Sequence, residues 1–322
     1  MDRRAFLGGA FGFALTGGAI AGLRRDRGPV LRIGVMTNLT HAPLLAGLGS
    51  GRIAKAIAPV ALETIAFRAG PRITEALVGG AIDVGTAGPA PIVIHHARHA
   101  ARGDGFRVLA GCASGGASLI VAKDSGIRGF DDLRKKRVAV TQIGTTQDVA
   151  LRTQLARSGL ASTTAGGDVT VLALANATIL DEMRRGELHA AWLAEPWATR
   201  LVRELSAVRL IDERSLWENG RFATALLVAR KSKADDPLLE RVTEALAEEV
   251  TRAQRDPATT REEAYTELRR HVGNPGKRSI FDEAWQLVDF TSDPVRASVE
   301  DFAKNAAALS LCPKGGAQGL FG

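Results

Sequence analysis

The sequence predicts an α/β protein built as two lobes. Three observations predict it. Short apolar runs alternate with helical stretches from residue 31 to residue 229. A helix–turn–strand–loop unit recurs, as EALVGGAIDVGTAGP at residues 75–89 and EMRRGELHAAWLAEP at 182–196. Gly80 aligns with Gly186, Ile82 with Leu188, and Asp83 with His189. The chain has 322 residues, roughly two domains' worth by the usual size of a hydrophobic core.

The elements follow in order. Residues 31–35 (LRIGV) form a first strand, and 43–57 a helix opened by Pro43. Strands at 61–66, 82–85, 107–110 and 118–122 then enclose helices at 73–78 and 92–101. A second set places strands at 137–141, 169–173, 189–193 and 209–211. Between and before them lie helices at 130–135, 146–158, 179–185 and 196–204. The run 223–229 (ATALLVA) has no polar interruption beyond one Thr and reads as a buried strand. After Ser232 strands are expected to stop, with helices at 238–255, 260–271, 280–288 and 295–309. The Gly-rich tail at 315–322 is expected to fray.

Composition bounds the function. Hydrophobic residues make up 45% and charged residues 24%, as in an ordinary globular protein. The net charge is +7, but Lys and Arg alternate with Asp and Glu and no basic block interleaves with aromatics. The expectation is therefore no nucleic-acid partner. Residues 3–7 (RRAFL) and the uncharged stretch 8–21, ending in Ala19-Ile20-Ala21, resemble a twin-arginine export signal. Residues 1–29 are read as signal and linker, and the mature protein as periplasmic. The two cysteines, Cys112 and Cys312, can either pair in an oxidising compartment or stay as separate free thiols. Gly49-Ser50-Gly51 follows a helix, and Gly276-Lys277-Arg278-Ser279 follows no strand, so neither is read as a phosphate loop. No metal and no cofactor is expected.

Ligands of open α/β sheets bind beyond the carboxyl ends of strands, where helix N-termini favour anions. Five loops are candidates for the site. In the loop 36–43, Asn38 or His41 touches ligand, or Thr40 caps the helix. In 85–91, Gly88 and Pro89 let backbone approach a ligand, or form an ordinary turn. The loop 113–117 is a cleft wall or a flexible turn. At 141–148, Thr145 and Thr146 offer hydroxyls and N–H groups to an oxyanion, with Thr145 also a cap. At 194–197, Glu195 reads an ammonium or hydroxyl and Trp197 lines a wall, or the Glu is there for the helix dipole and the Trp for the core.

The segments GGAIDVGTAGPAPIV, SLIVAKDSGIRGFDDLRKKRVAV, GTTQDVALRTQL and GELHAAWLAEPW together resemble the sulfonate/nitrate/taurine and thiamine-precursor family of ABC-transporter solute-binding proteins. The likeness spans about residues 31–232. It implies a periplasmic-binding-protein type II fold with hinge strands. One lobe would hold 30–116 plus 222–311, the other 117–221, with 312–322 as tail. It implies ligand contacts at Asn38, His41, Gly88, Pro89, Thr145, Thr146, Glu195 and Trp197. It implies no catalysis, a monomer, and as partners a small organic anion, closest to an alkanesulfonate or taurine, and an inner-membrane ABC permease with its ATPase. Nitrate or a thiamine precursor is the alternative ligand. The alternative class is an enzyme on the same fold, a desulfinase or precursor synthase, for which His41 is the one candidate base. The Cys cluster of pyrimidine-synthesising relatives is missing.

Overall fold

The computed structural model describes residues 29–322. The strand β1 (Val30–Met36) pairs in parallel with β2 (Ala61–Phe67) and β3 (Val84–Ala87). The helices between them are α1 (Ala42–Gly49), α2 (Arg52–Ala56) and α3 (Gly70–Val78). The single helix expected at 43–57 is two, because Gly51 takes φ +76° between them. Next come α4 (Pro89–His99) and β4 (Phe106–Gly115).

The chain then builds a separate sheet. Its members are β5 (Ala117–Val121), β6 (Arg137–Val140), α5 (Thr146–Arg157), β7 (Thr170–Ala173), α6 (Asn176–Arg184), β8 (Ala190–Ala194), α7 (Trp197–Leu205) and β9 (Val208–Asp212). The short helix expected at 130–135 is a 3-10 turn, Phe130–Leu133. After two further 3-10 turns the chain returns through β10 (Ala223–Arg230). The remaining elements are α8 (Pro237–Arg255), α9 (Pro257–Val272), α10 (Arg278–Trp285), β11 (Val288–Phe290) and α11 (Arg296–Ala308).

Two sheets result, ordered β11-β4-β10-β3-β1-β2 and β7-β6-β8-β5-β9. In each, parallel strands carry the helical crossovers and antiparallel strands carry the passage between sheets. The fold is mixed α/β of the periplasmic-binding-protein type, as its similarity to solved structures below also shows. β10 is buried along its length, which is why it reads as a continuous apolar run.

Two expectations are corrected. Strands do not stop at Ser232: β11 pairs antiparallel with β4. Three residues directly after a helix give too short a pattern for alternation to be read. The tail does not fray either. Leu320 is fully buried and its carbonyl accepts from the Val108 N–H at 2.8 Å. His96 Nε2 meets the Gln318 carbonyl at 2.8 Å, and Arg296 covers the Phe321 ring. Two apolar side chains at the end of the tail are enough to anchor it. Both cysteines are free, Cys112 buried and Cys312 half-buried. Burial pushes the Cys112 thiol up to about 12, so it remains protonated.

Candidate functional site

Register places the site. β1 and β2 end level, with Met36 opposite Phe67, and Gly34 of β1 lies opposite Gly85 of β3. The turns holding Asn38, Arg68 and Gly88 therefore share one sheet edge. In the second sheet Val140 lies opposite Ala173, and Ala139 opposite Ala191. That aligns the turns holding Thr145, Asn176 and Ala194. Six helices, α1, α3, α4, α5, α6 and α7, begin at these two edges.

Between the edges lies a cavity of about 50 Å³, lined by Asn38, Thr40, His41, Arg68, Gly88 and Thr146 among others. It opens into an outer chamber of about 470 Å³, with which it shares Met36, Asn38, Arg68, Ala69, Thr141 and Asn176. The outer wall is more apolar: Trp197 and Pro196 on one side, Leu268, Val272 and Pro275 on the other. Among the described residues no Asp or Glu lines either chamber.

The helix ends are prepared for negative charge. A helix N-terminus is ordinarily satisfied by a capping side chain or an acidic residue in its first turn. Among the six, α5 and α7 have these: Thr145 Oγ1 accepts from the Asp148 N–H at 3.4 Å, and Glu195 Oε2 accepts from the Thr199 N–H in the first turn of α7 at 3.0 Å. At α1, α3, α4 and α6 the preceding residues, His41, Ala69, Gly88 and Ala175, make no capping bond, and the first turns hold no acid. Three side-chain atoms of the inner lining are also shut off from solvent without a hydrogen-bond partner: His41 Nδ1, Thr146 Oγ1 and Asn176 Oδ1. A buried polar atom left unpaired costs about 1–3 kcal/mol, so such a set fits a ligand that supplies the partners.

His41 is fully buried, and burial pulls its imidazole down to about 3. It is neutral at pH 7 and one of its nitrogens donates, while the other accepts. So weak a base is poorly placed to abstract a proton. Arg68 is exposed where the two chambers meet and forms no ion pair among the described residues. Arg200 stacks over Trp197, 4.7 Å from the ring centroid, but its charge is matched by Glu204 at 2.7 Å. Arg68 is thus the uncompensated cation of the cleft.

Of the residues singled out from sequence, Asn38, His41, Gly88, Thr145 and Thr146 line the inner cavity, and Trp197 lines the outer chamber. Thr145 is spent on the protein, capping α5 and donating to the Gln142 carbonyl at 2.8 Å. Asn38 Oδ1 likewise accepts from the Thr40 N–H, so Asn38, not Thr40, is the capping residue, and what it caps is the 3-10 turn Leu39–His41 that leads into α1. Pro89 packs as the first residue of α4, and the lining role falls to Pro91 one half-turn on. Glu195 does not face the cleft. It is fully buried, its Oε1 lies 2.8 Å from the Arg209 guanidinium, and its Oε2 accepts from the Thr199 N–H at 3.0 Å. Burial holds its carboxyl above the usual range, opposed by Arg209. A carboxylate so occupied cannot read a ligand ammonium. Arg68 and Asn176 were missed, although both sit in turns of the same strand-to-helix kind.

Solved structures share this fold. The chain resembles the alkanesulfonate-binding protein SsuA of Xanthomonas axonopodis pv. citri, solved with MOPS bound, at 23% identity and a TM-score of 0.72. The match covers 89% of this chain and 96% of that one. It resembles the nitrate-binding protein NrtA of Synechocystis PCC 6803 at 16% identity, TM-score 0.73, over 89% and 83% of the two chains. The aliphatic sulphonate binding protein SsuA of Escherichia coli matches at 20% identity, TM-score 0.69, over 89% of each. Among curated proteins, no sequence match is found. A family model described as the NMT1-like family matches residues 27–267, three quarters of the sequence, and the chain belongs to that family.

Proposed function

We propose that this protein is the solute-binding component of an ABC importer and captures a small organic anion with a sulfonate-type head. The observation that carries the reading is the set of four uncapped, acid-free helix N-termini, those of α1, α3, α4 and α6, around a cavity whose described lining holds no carboxylate. Their N–H groups and dipoles suit an oxyanion, and Arg68 adds the one free positive charge. The relatives of the same fold point the same way, since two are described as binding sulfonates and one nitrate. With Glu195 turned away, a plain alkanesulfonate fits better than taurine. The apolar outer wall gives its carbon chain a place.

Residues 30–116 with 222–311 form one lobe in this reading, and 117–221 the other. The lobes close on the anion about the β4–β5 link and the segment before β10, and the loaded monomer is read by a permease with its ATPase. Export to the periplasm rests on residues 3–7, which lie outside the described residues. Among the described residues no helix is long and apolar enough to cross a membrane. A neutral His41 and a protonated Cys112 support binding without catalysis.

The test is calorimetric titration of the purified protein with MOPS, octanesulfonate, taurine and nitrate, with recovery of the bound compound. Tight binding of a sulfonate recovered unchanged supports the reading. Binding of none of these anions, or conversion of one, overturns it.

A further inference from the structure

A second cavity, of about 110 Å³, lies away from the anion site. Its walls come from one helix beside each sheet and from the chain between the sheets. α5 contributes Thr153 and Arg157, and α11 contributes Asp301 and Phe302. The crossover from β9 to β10 contributes Glu213, Trp217 and Glu218. Trp217 stacks on Phe222, with ring centroids 5.5 Å apart, and on Phe302, at 4.9 Å. The crossover is therefore clamped against α11.

Glu213 is the unusual member. It is fully buried, with Oε2 accepting from Trp192 Nε1 at 2.7 Å and Oε1 without a partner. No cation lies within ion-pair distance of it among the described residues. Thr153 Oγ1, on the facing wall, is also buried and unpartnered. The surrounding charges do not compensate the carboxyl. On its own segment, Asp212 is paired with Arg214 at 2.7 Å, and Arg214 also lies 3.9 Å from Asp289. Arg209 of β9 is engaged with Glu195. On α11, Asp301 is paired with Lys304 at 2.9 Å. On α5, Asp148 and Arg152 pair with each other, and Arg157 is exposed at the rim. Glu218 lies at the rim of the crossover, and β5 and β8 bring only uncharged side chains. Burial pushes the Glu213 carboxyl up to about 8, against the pull of Trp192 and Trp217, with Asp212 adding to the rise.

We propose that Glu213 is a proton-linked element of the hinge, neutral while the two sheets are closed and ionised when their separation lets water into its cavity. Opening then moves one proton from the Glu213 carboxyl to solvent, and closure takes it back. The physical basis is that a carboxylate buried without a cation is costly and becomes cheap once hydrated. Because α5 and α11 belong to different sheets, a rotation about the crossover changes the cavity between them. By linkage, any ligand that closes the cleft binds more tightly as pH falls through the range below 8. The device is independent of which anion is bound.

A disulfide lock tests this. A Cβ built on Gly88 stands 3.5 Å from Thr146 Cβ, at the near end of the roughly 3.5–4.5 Å span of a disulfide. The variant Gly88→Cys/Thr146→Cys/Cys312→Ser is oxidised to fix the closed form and reduced to release it. Infrared spectra across pH 5–9 follow the protonated-carboxyl band, assigned by its loss in Glu213→Gln. If that variant does not fold, Trp192→Phe assigns the band by shifting it, since it removes the one hydrogen bond to Oε2. The expected result is a midpoint near 8 in the locked form and at least one pH unit lower, a tenfold change in proton affinity, in the released form. Identical midpoints in both forms, or an ionised Glu213 at pH 6 in the locked form, would overturn the proposal.

Discussion

A methyl group on Gly88 would stand 2.3 Å from Thr146 Oγ1, across the gap between the two sheets. Gly88 ends the turn before α4, and Thr146 is the first residue of α5. Two helix N-termini thus meet where a Cβ is missing. Any side chain at 88 must hold the sheets apart or displace Thr146. Gly88→Ala is expected to weaken binding of a sulfonate such as MOPS by tenfold or more, about 1–3 kcal/mol of overpacking. Thermal stability of the free protein should change little, since Gly88 has φ −73°, which alanine adopts without strain. Calorimetric titration beside a melting curve separates the two effects.

Arg68 has no ion-pair partner among the described residues, so its removal should act on the ligand alone. Arg68→Gln is expected to raise the Kd for MOPS by roughly 10–100-fold, the worth of about one charge-assisted hydrogen bond. Stability should stay within about 0.5 kcal/mol of the parent, as at other exposed sites. A fall in stability with unchanged affinity would reverse the assignment.

Glu195 should behave in the opposite way. Glu195→Ala leaves Arg209 facing a buried gap, and breaking such a pair costs about 3–5 kcal/mol. Denaturant unfolding should show that loss. The preference between taurine and ethanesulfonate should not change, because the carboxylate does not reach the cleft. A selective loss of taurine binding would return Glu195 to the site.

His41 sets an acid limit on stability. Its imidazole titrates near 6.5 unfolded and at about 3 folded, so the unfolded chain binds the extra proton between those values. The full contribution is present above 6.5 and is lost as pH falls toward 3, by a few kcal/mol in all. Urea unfolding from pH 7 to pH 4 should show this decline, and His41→Gln should make it shallower. Above pH 7, ligand affinity should show no step from this residue.

Much of the site was legible because one rule located it. Asn38, Gly88 and Thr146 follow apolar strands and open helices, and such positions gather at one sheet edge whatever the surrounding sequence. Arg68 and Asn176 obey the same rule in FRAGP and ALANAT, and a complete walk through every strand-to-helix turn would have found them. Glu195 obeys it too, yet its side chain points away from the cleft. Its partner Arg209 lies on β9, and both β8 and β9 pair with β5. That adjacency cannot be read from a separation of fourteen positions.

The sequence by itself determined the alternation of strands and helices, the second copy of the helix–turn–strand unit, and the strand-to-helix turns from which the cleft helices start. These are local properties, set by side-chain period and by the residues beside each helix start. The tertiary structure decided which loops meet and which charges are left over. It spent Thr145 on α5 and Glu195 on Arg209, left Arg68 free, and buried Glu213 without a cation. It also docked the tail through Leu320 and added β11 to the edge of the first sheet. The reason is that pairing and burial are long-range: a charge is free or compensated according to what the fold brings beside it, and the sequence around it carries no record of that neighbour.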